Sequence, residues 1–146
     1  MTNVEVTVEV NAAPERVWEV AGDPRNLPHW DRHIERVWLP EAGLEVGARY
    51  SVRMRFVSVR SDVQAEVLEW EPPWRARIRL EGILDATVTT TVASLPFDRS
   101  LLRQEVDYRF RGPFGRLGAS SLAAVGGAQL ALRRGVAAQK REIEAG

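Results

Sequence analysis

Between residues 49 and 110 apolar and polar side chains alternate almost without pause, and from about Gly115 the repeat lengthens to that of a helix. No other feature of the sequence narrows the fold so far. In RYSVRMRF, Tyr50, Val52, Met54 and Phe56 alternate with Ser51, Arg53 and Arg55. A period of two sends successive side chains to opposite faces of a strand, so one face is apolar and the other wet. The pattern returns in WRARIRL, where Trp74, Ala76, Ile78 and Leu80 are set against Arg75, Arg77 and Arg79. It returns again in SLLRQEVDYRF, with Leu102, Gln104, Val106, Tyr108 and Phe110 on one face. ERVWLP reads as a short strand, EAGLEVGARY as a turn and ILDATVTTTVASL as a strand rich in Thr and Val. SDVQAEVLEWE is a further strand, which Pro72 and Pro73 stop.

The ends of the chain differ from this middle. Val4, Val6, Val8 and Val10 alternate with Glu5, Thr7 and Glu9, which predicts a half-buried first strand. NAAPERVWEVAGD then predicts a helix, with Pro14 in its first turn, Glu15 at its positive end and Gly22 closing it. Asp23 is placed to cap a second short helix through Asn26 or Leu27, with Pro24 at its start. At the far end Leu117, Ser121, Val125, Ala128, Leu132, Val136 and Ile143 share one stripe. They predict a helix of about 28 residues, on the order of 42 Å long. A run of antiparallel strands flanked by helices is an α+β pattern, with the last helix laid across one face of a strongly curved sheet.

The 146 residues suit a single domain, 1–146, around one core. With 45% hydrophobic and 27% charged residues, the chain has the composition of a globular protein. Its formal net charge of zero gives no long-range attraction to nucleic acid or an anionic membrane. The absence of cysteine excludes disulfides, thiolate catalysis and thiolate-bound metal. The N-terminus alternates and has no apolar core, so no signal peptide is expected. LAAVGGAQLALRRGVAA, broken by Arg133 and Arg134, is too short and interrupted to span a bilayer. A cytoplasmic location is the expectation. On the wet faces of the strands Arg53, Arg55, Arg75, Arg77, Arg79, Arg103 and Arg109 mix with Asp85, Glu105 and Asp107. Opposite charges on neighbouring strands should pair. With acids interleaved and no aromatic stacking platform, this set does not predict nucleic-acid binding.

APERVWEVAGDPRNLPHWD resembles the opening of the SRPBCC superfamily (START/polyketide cyclase/Bet v 1-like). GLEVGARYSVRM is similar to that superfamily's Gly-x-x-Gly turn into the third strand, and VLEWEPPWR to its Glu-x-x-Pro-Pro at the end of the fourth. The ordered set covers essentially the whole chain and most resembles the polyketide cyclase/dehydrase and lipid-transport branch. The resemblance implies the helix-grip fold: a curved antiparallel seven-stranded sheet wrapped around a long C-terminal helix, with two short helices after strand 1. That branch contains both enzymes and carriers, so it constrains fold more than function.

In such a fold the sheet and its helix cannot close everywhere, and the gap becomes a cavity near the short helices. Trp30 is expected at its mouth. Tyr50, Met54, Phe56, Val88, Gln104, Tyr108 and Phe110 are expected to line it, with Val125 and Leu132 as the helix wall. Each also fits as plain core. Small residues between Gly118 and Ala131, including the pair Gly126 and Gly127, leave room for a ligand, let the helix pack closely on Trp18, Trp70 or Trp74, or mark a break in the helix.

DPRNLPHWDRHI holds both histidines. His29 and His33 are four apart, but Pro28 disfavours one helix through both, and with Asp31 they make an incomplete metal set. No metal and no cofactor are expected. The catalytic candidates are His29, His33 and Tyr108, as acid or base for a bound chain. The sequence therefore predicts a binder of a small hydrophobic molecule: a lipid, a polyketide or another aromatic metabolite. The alternatives are a cyclase or dehydratase using the same pocket, and a module that binds a partner through its charged sheet face. Oligomeric state is not readable.

Overall fold

A computed structural model describes residues 2–56, 59–111 and 127–146, and the side chain of Phe56 and all of Val125 lie outside the described residues. The elements follow in the order β1 (Thr2–Val10), α1 (Pro14–Ala21), a 3-10 turn (Pro24–Asn26), α2 (Leu27–Trp30) and β2 (Ile34–Trp38). Then come β3 (Arg49–Phe56), β4 (Val59–Glu71), β5 (Arg75–Glu81), β6 (Leu84–Leu95), β7 (Arg99–Phe110) and α3 (Gly127–Ala145). The start expected for the last helix near Gly115, and the small residues up to Gly126, lie outside the described residues.

The seven strands form one antiparallel sheet in the order β1-β7-β6-β5-β4-β3-β2. It is the expected curved α+β sheet with two short helices after its first strand. Registers slip at 34/36 on β2 and at 67/69 on β4, and such bulges bend a strand and tighten its twist. On the convex face the charges pair as the alternation predicts. Arg53 bonds Asp62 at 2.9 Å, Arg103 bonds Glu5 at 2.7 Å and Arg109 bonds Asp85 at 3.2 Å. Each such exposed pair is screened by solvent and contributes little to stability.

Two local expectations need correction. Asp23 does cap the chain after α1, but its carboxylate accepts from the Arg25 N–H at 3.0 Å, not from Asn26 or Leu27. The turn that follows is 3-10, so the free N–H comes one residue sooner. Trp74, placed by alternation on the inner face of β5, precedes the strand and is 44% exposed.

The interior divides into two apolar clusters. One is built on Ile34, Tyr50, Val52, Met54, Val67, Leu80 and Leu84, on the β2 side of the sheet. The other gathers Val10, Val17, Val20, Val92, Leu102, Val136 and Ile143, with Trp18, Trp30 and Leu132 packed against them. The helix α3 packs on β1, α1 and α2, so it covers the β1 side of the concave face. Its stripe of Leu132, Val136 and Ile143 faces the second cluster, as its period predicts.

Candidate functional site

Where the two clusters meet, the packing stops and leaves a hollow of about 170 Å³. Alternation places its walls. Tyr50, Val52 and Met54 come from β3, and Ala76, Ile78 and Leu80 from β5. Leu84, Ala86, Val88 and Thr90 come from β6, and Gln104 and Val106 from β7. The other side is Ala131, Leu132, Gly135 and Gln139 of α3, with Leu27 and Trp30 of α2 and the bend at Gly22, Asp23 and Pro24. Small side chains at Ala76, Ala86 and Ala131 keep the hollow open. An apolar cavity of ~150 Å³ takes a benzene ring, so the space here suits one ring or a short chain.

Besides Asp23 and Asp31 at the rim, an amide pair, a phenol and a hydroxyl interrupt this apolar wall. Gln104 and Gln139 are both buried and exchange amide hydrogen bonds, Nε2 of Gln104 to Oε1 of Gln139 at 3.0 Å and the reverse at 3.4 Å. A primary amide carries two donors, so each keeps a second N–H beyond the pair. Tyr50 is 5% exposed, and burial pushes its hydroxyl pKa well up, which keeps it a neutral donor. Thr90, 8% exposed, carries the hydroxyl.

Close packing sets the position of α2. A Cβ built on Gly135 would stand 3.0 Å from the carbonyl oxygen of Trp30, so glycine lets α3 touch the backbone of α2. The Trp30 ring meets His29 edge-on at 5.8 Å, and its indole N–H is buried without a hydrogen-bond partner among the described residues. Beyond Trp30 lies an outer groove of about 450 Å³, walled by His29, Asp31, Arg32, His33, Leu130 and Arg134 among others. Trp30, Asp31 and Ala131 belong to both spaces. A third, shallower groove of about 650 Å³ runs past Trp18, Trp70, Leu39 and Leu44 and shares Gly22 and Asp23 with the inner hollow. There Trp18 and Trp70 meet edge-on at 5.7 Å, and a Cβ on Gly22 would collide with the Trp18 indole.

Of the residues singled out from sequence, the inner hollow gathers Trp30, Tyr50, Met54, Val88, Gln104 and Leu132. Phe56 and Val125 fall outside what is described. Tyr108 and Phe110 are not on its wall. They meet edge-on at 6.0 Å and pack against the first cluster. They share the face of Val106 but lie two and four residues further along β7, roughly 7 and 14 Å at 3.4 Å per residue. His29 and His33 line the outer groove instead of the hollow. α2 ends at Trp30, so one helix does not carry both. His33 Nδ1 lies 3.1 Å from Asp31 Oδ1, which also accepts the His33 backbone N–H at 2.8 Å. Among the described residues, no three His, Cys, Asp or Glu side chains converge on a metal site.

Sequence reasoning missed Gln139 and Gly135. The signal for Gln139 was present: the stripe steps from Val136 to Ile143, and position 139 completes it at i+3. Gly135 gave no such signal, because the partner it admits is a backbone oxygen of α2.

Comparison with known proteins bears on this arrangement. Residues 1–144 match the family described as polyketide cyclase / dehydrase and lipid transport. Among solved structures, an aromatase/cyclase from Streptomyces sp. R1128 superposes with a TM-score of 0.72 at 20% identity, over 99% of this chain and 96% of that one. A START superfamily protein from Mycobacterium smegmatis gives 0.68 at 16%, over 97% and 98%. A conserved protein from Geobacillus kaustophilus gives 0.74 at 18%, over 97% and 95%. These likenesses are of fold. No curated protein matches the sequence.

Proposed function

The chain belongs to the polyketide cyclase/dehydrase and lipid-transport family, and from that premise we propose that it binds a small hydrophobic molecule in the hollow between sheet and α3. The observation that carries this reading is the mainly apolar, partly open space of about 170 Å³ at the junction of the two core clusters. A pocket with an apolar wall and a few convergent polar groups fits a hydrophobic guest with one or two oxygens. The spare amide N–H groups of Gln104 and Gln139 and the Tyr50 hydroxyl would orient such a guest. The volume favours a single ring or a short acyl chain over a long folded polyketide. No described helix is long and apolar enough to cross a membrane.

A second reading, cyclase- or dehydratase-type chemistry in the same hollow, is favoured by one observation. Tyr50 lines the hollow, and its phenol, protonated at neutral pH, can donate to a carbonyl oxygen as it gains charge. Placement of a flexible chain would supply much of the rate. His29, His33 and Tyr108 give this reading less support, since none of them walls the hollow.

Calorimetric titration with toluene tests the proposal. Saturable one-to-one binding is expected, weakened tenfold or more in Ala86→Leu and in Ala131→Leu, which fill the hollow from opposite walls. Circular dichroism verifies that the variants fold. Unsaturable binding, or binding that both variants leave unchanged, contradicts the proposal. Under the second reading Tyr50→Phe keeps binding and loses turnover; under simple carriage it alters affinity alone.

A further inference from the structure

The outer groove holds two arginines outside the pattern of ion pairs that runs along the sheet. Along the sheet the arginines are matched by carboxylates: Arg49 by Glu66, Arg60 by Glu35, Arg99 by Glu9 and Arg111 by Asp85. The groove is walled by Arg32 and Arg134, both exposed, and among the described residues neither has an ion pair. Its one carboxylate, Asp31, is already engaged by the backbone and ring of His33. Residues 112–126, whose sequence precedes α3, contain no Asp or Glu. Among the described residues, two guanidinium groups thus stand without an ion pair beside a wall that the groove shares with the apolar hollow.

That wall is Trp30, together with Asp31 and Ala131. Among the described residues, the buried indole N–H of Trp30 has no acceptor. A buried donor without a partner carries a desolvation penalty that an arriving acceptor relieves. A guest that occupied only the hollow would leave the arginines unused, and a simple anion would leave the hollow empty.

We propose that the ligand is an amphipathic acid, with its apolar part in the inner hollow and its carboxylate in the outer groove between Arg32 and Arg134. The assignment rests on the hydrophobic-ligand reading above and narrows its chemical class. Guanidinium groups suit a carboxylate because two N–H donors match its two oxygens. Both arginines are exposed, so the selectivity is moderate and salt-dependent.

The test compares octanoate with octanamide, which share a chain and differ in charge, by calorimetry at pH 7.5 and low salt. Octanoate is expected to bind about tenfold more tightly. Arg32→Gln and Arg134→Gln should each shrink that preference severalfold and leave octanamide affinity unchanged, as should 0.5 M salt. Arg141→Gln, on α3 away from the groove, should change nothing. Equal binding of the two probes overturns the acid assignment and leaves the hydrophobic-ligand reading standing. A preference that survives both substitutions in the groove overturns its placement there. Binding of neither probe overturns both.

Discussion

Gln104 and Gln139 bring two primary amides into a largely apolar interior, and each hydrogen-bonds the other. Removing one member leaves the other's amide buried and unpaired, which costs more than the bond itself contributes. Gln139→Leu should therefore destabilise the protein by about 1–3 kcal/mol. The double variant Gln104→Leu/Gln139→Leu should cost clearly less than the sum of the two single changes, as measured by urea denaturation. Additive losses would mean that the two amides do not depend on each other. Tyr50 makes a different prediction. Its pKa is raised in the folded state by burial, so between the unfolded value near 10 and the folded value the unfolded chain alone loses the proton. Stability from this group is complete below about pH 10 and falls as pH rises further, by up to about 1.4 kcal/mol per unit. Tyr50→Phe should flatten the alkaline decline in denaturation midpoint. An unchanged decline would place its cause elsewhere, for instance in Tyr108, which burial also raises.

At the scale of elements, the strands could be read from the sequence because a period of two reports which face a residue occupies. It reports nothing of depth along the strand. Val106, Tyr108 and Phe110 share a face, yet only Val106 reaches the hollow. Trp74 failed for a related reason, since the alternation was carried one residue beyond the strand. The helix stripe pointed to the correct side of α3 but skipped Gln139, because a polar residue on an apolar stripe breaks the pattern used to find it. Contacts between elements were the least legible. Gly135 lets α3 lie against the backbone of α2, where even a Cβ stands at 3.0 Å from Trp30. Gly135→Leu cannot fit without displacing α2. It should cost about 1–3 kcal/mol, as overpacking does. It should also raise hydrogen exchange in residues 27–30, and unchanged protection there would show that α2 is not held by this contact.

At the scale of the molecule, one geometric fact organises the rest. Among the described residues, the helix covers the β1 side of the concave face and the remaining strands carry their own apolar cluster, separate from the one under the helix. The hollow, its paired amides and the tryptophan that lines both it and the outer groove all lie along that seam. The charges on the convex face contribute little by comparison. A crystal of this protein pressurised with xenon tests the seam most directly, because xenon enters dry apolar cavities. Density for xenon is expected among Met54, Leu84, Val106 and Leu132. A seam filled by side chains, or one holding only ordered water, would contradict the account.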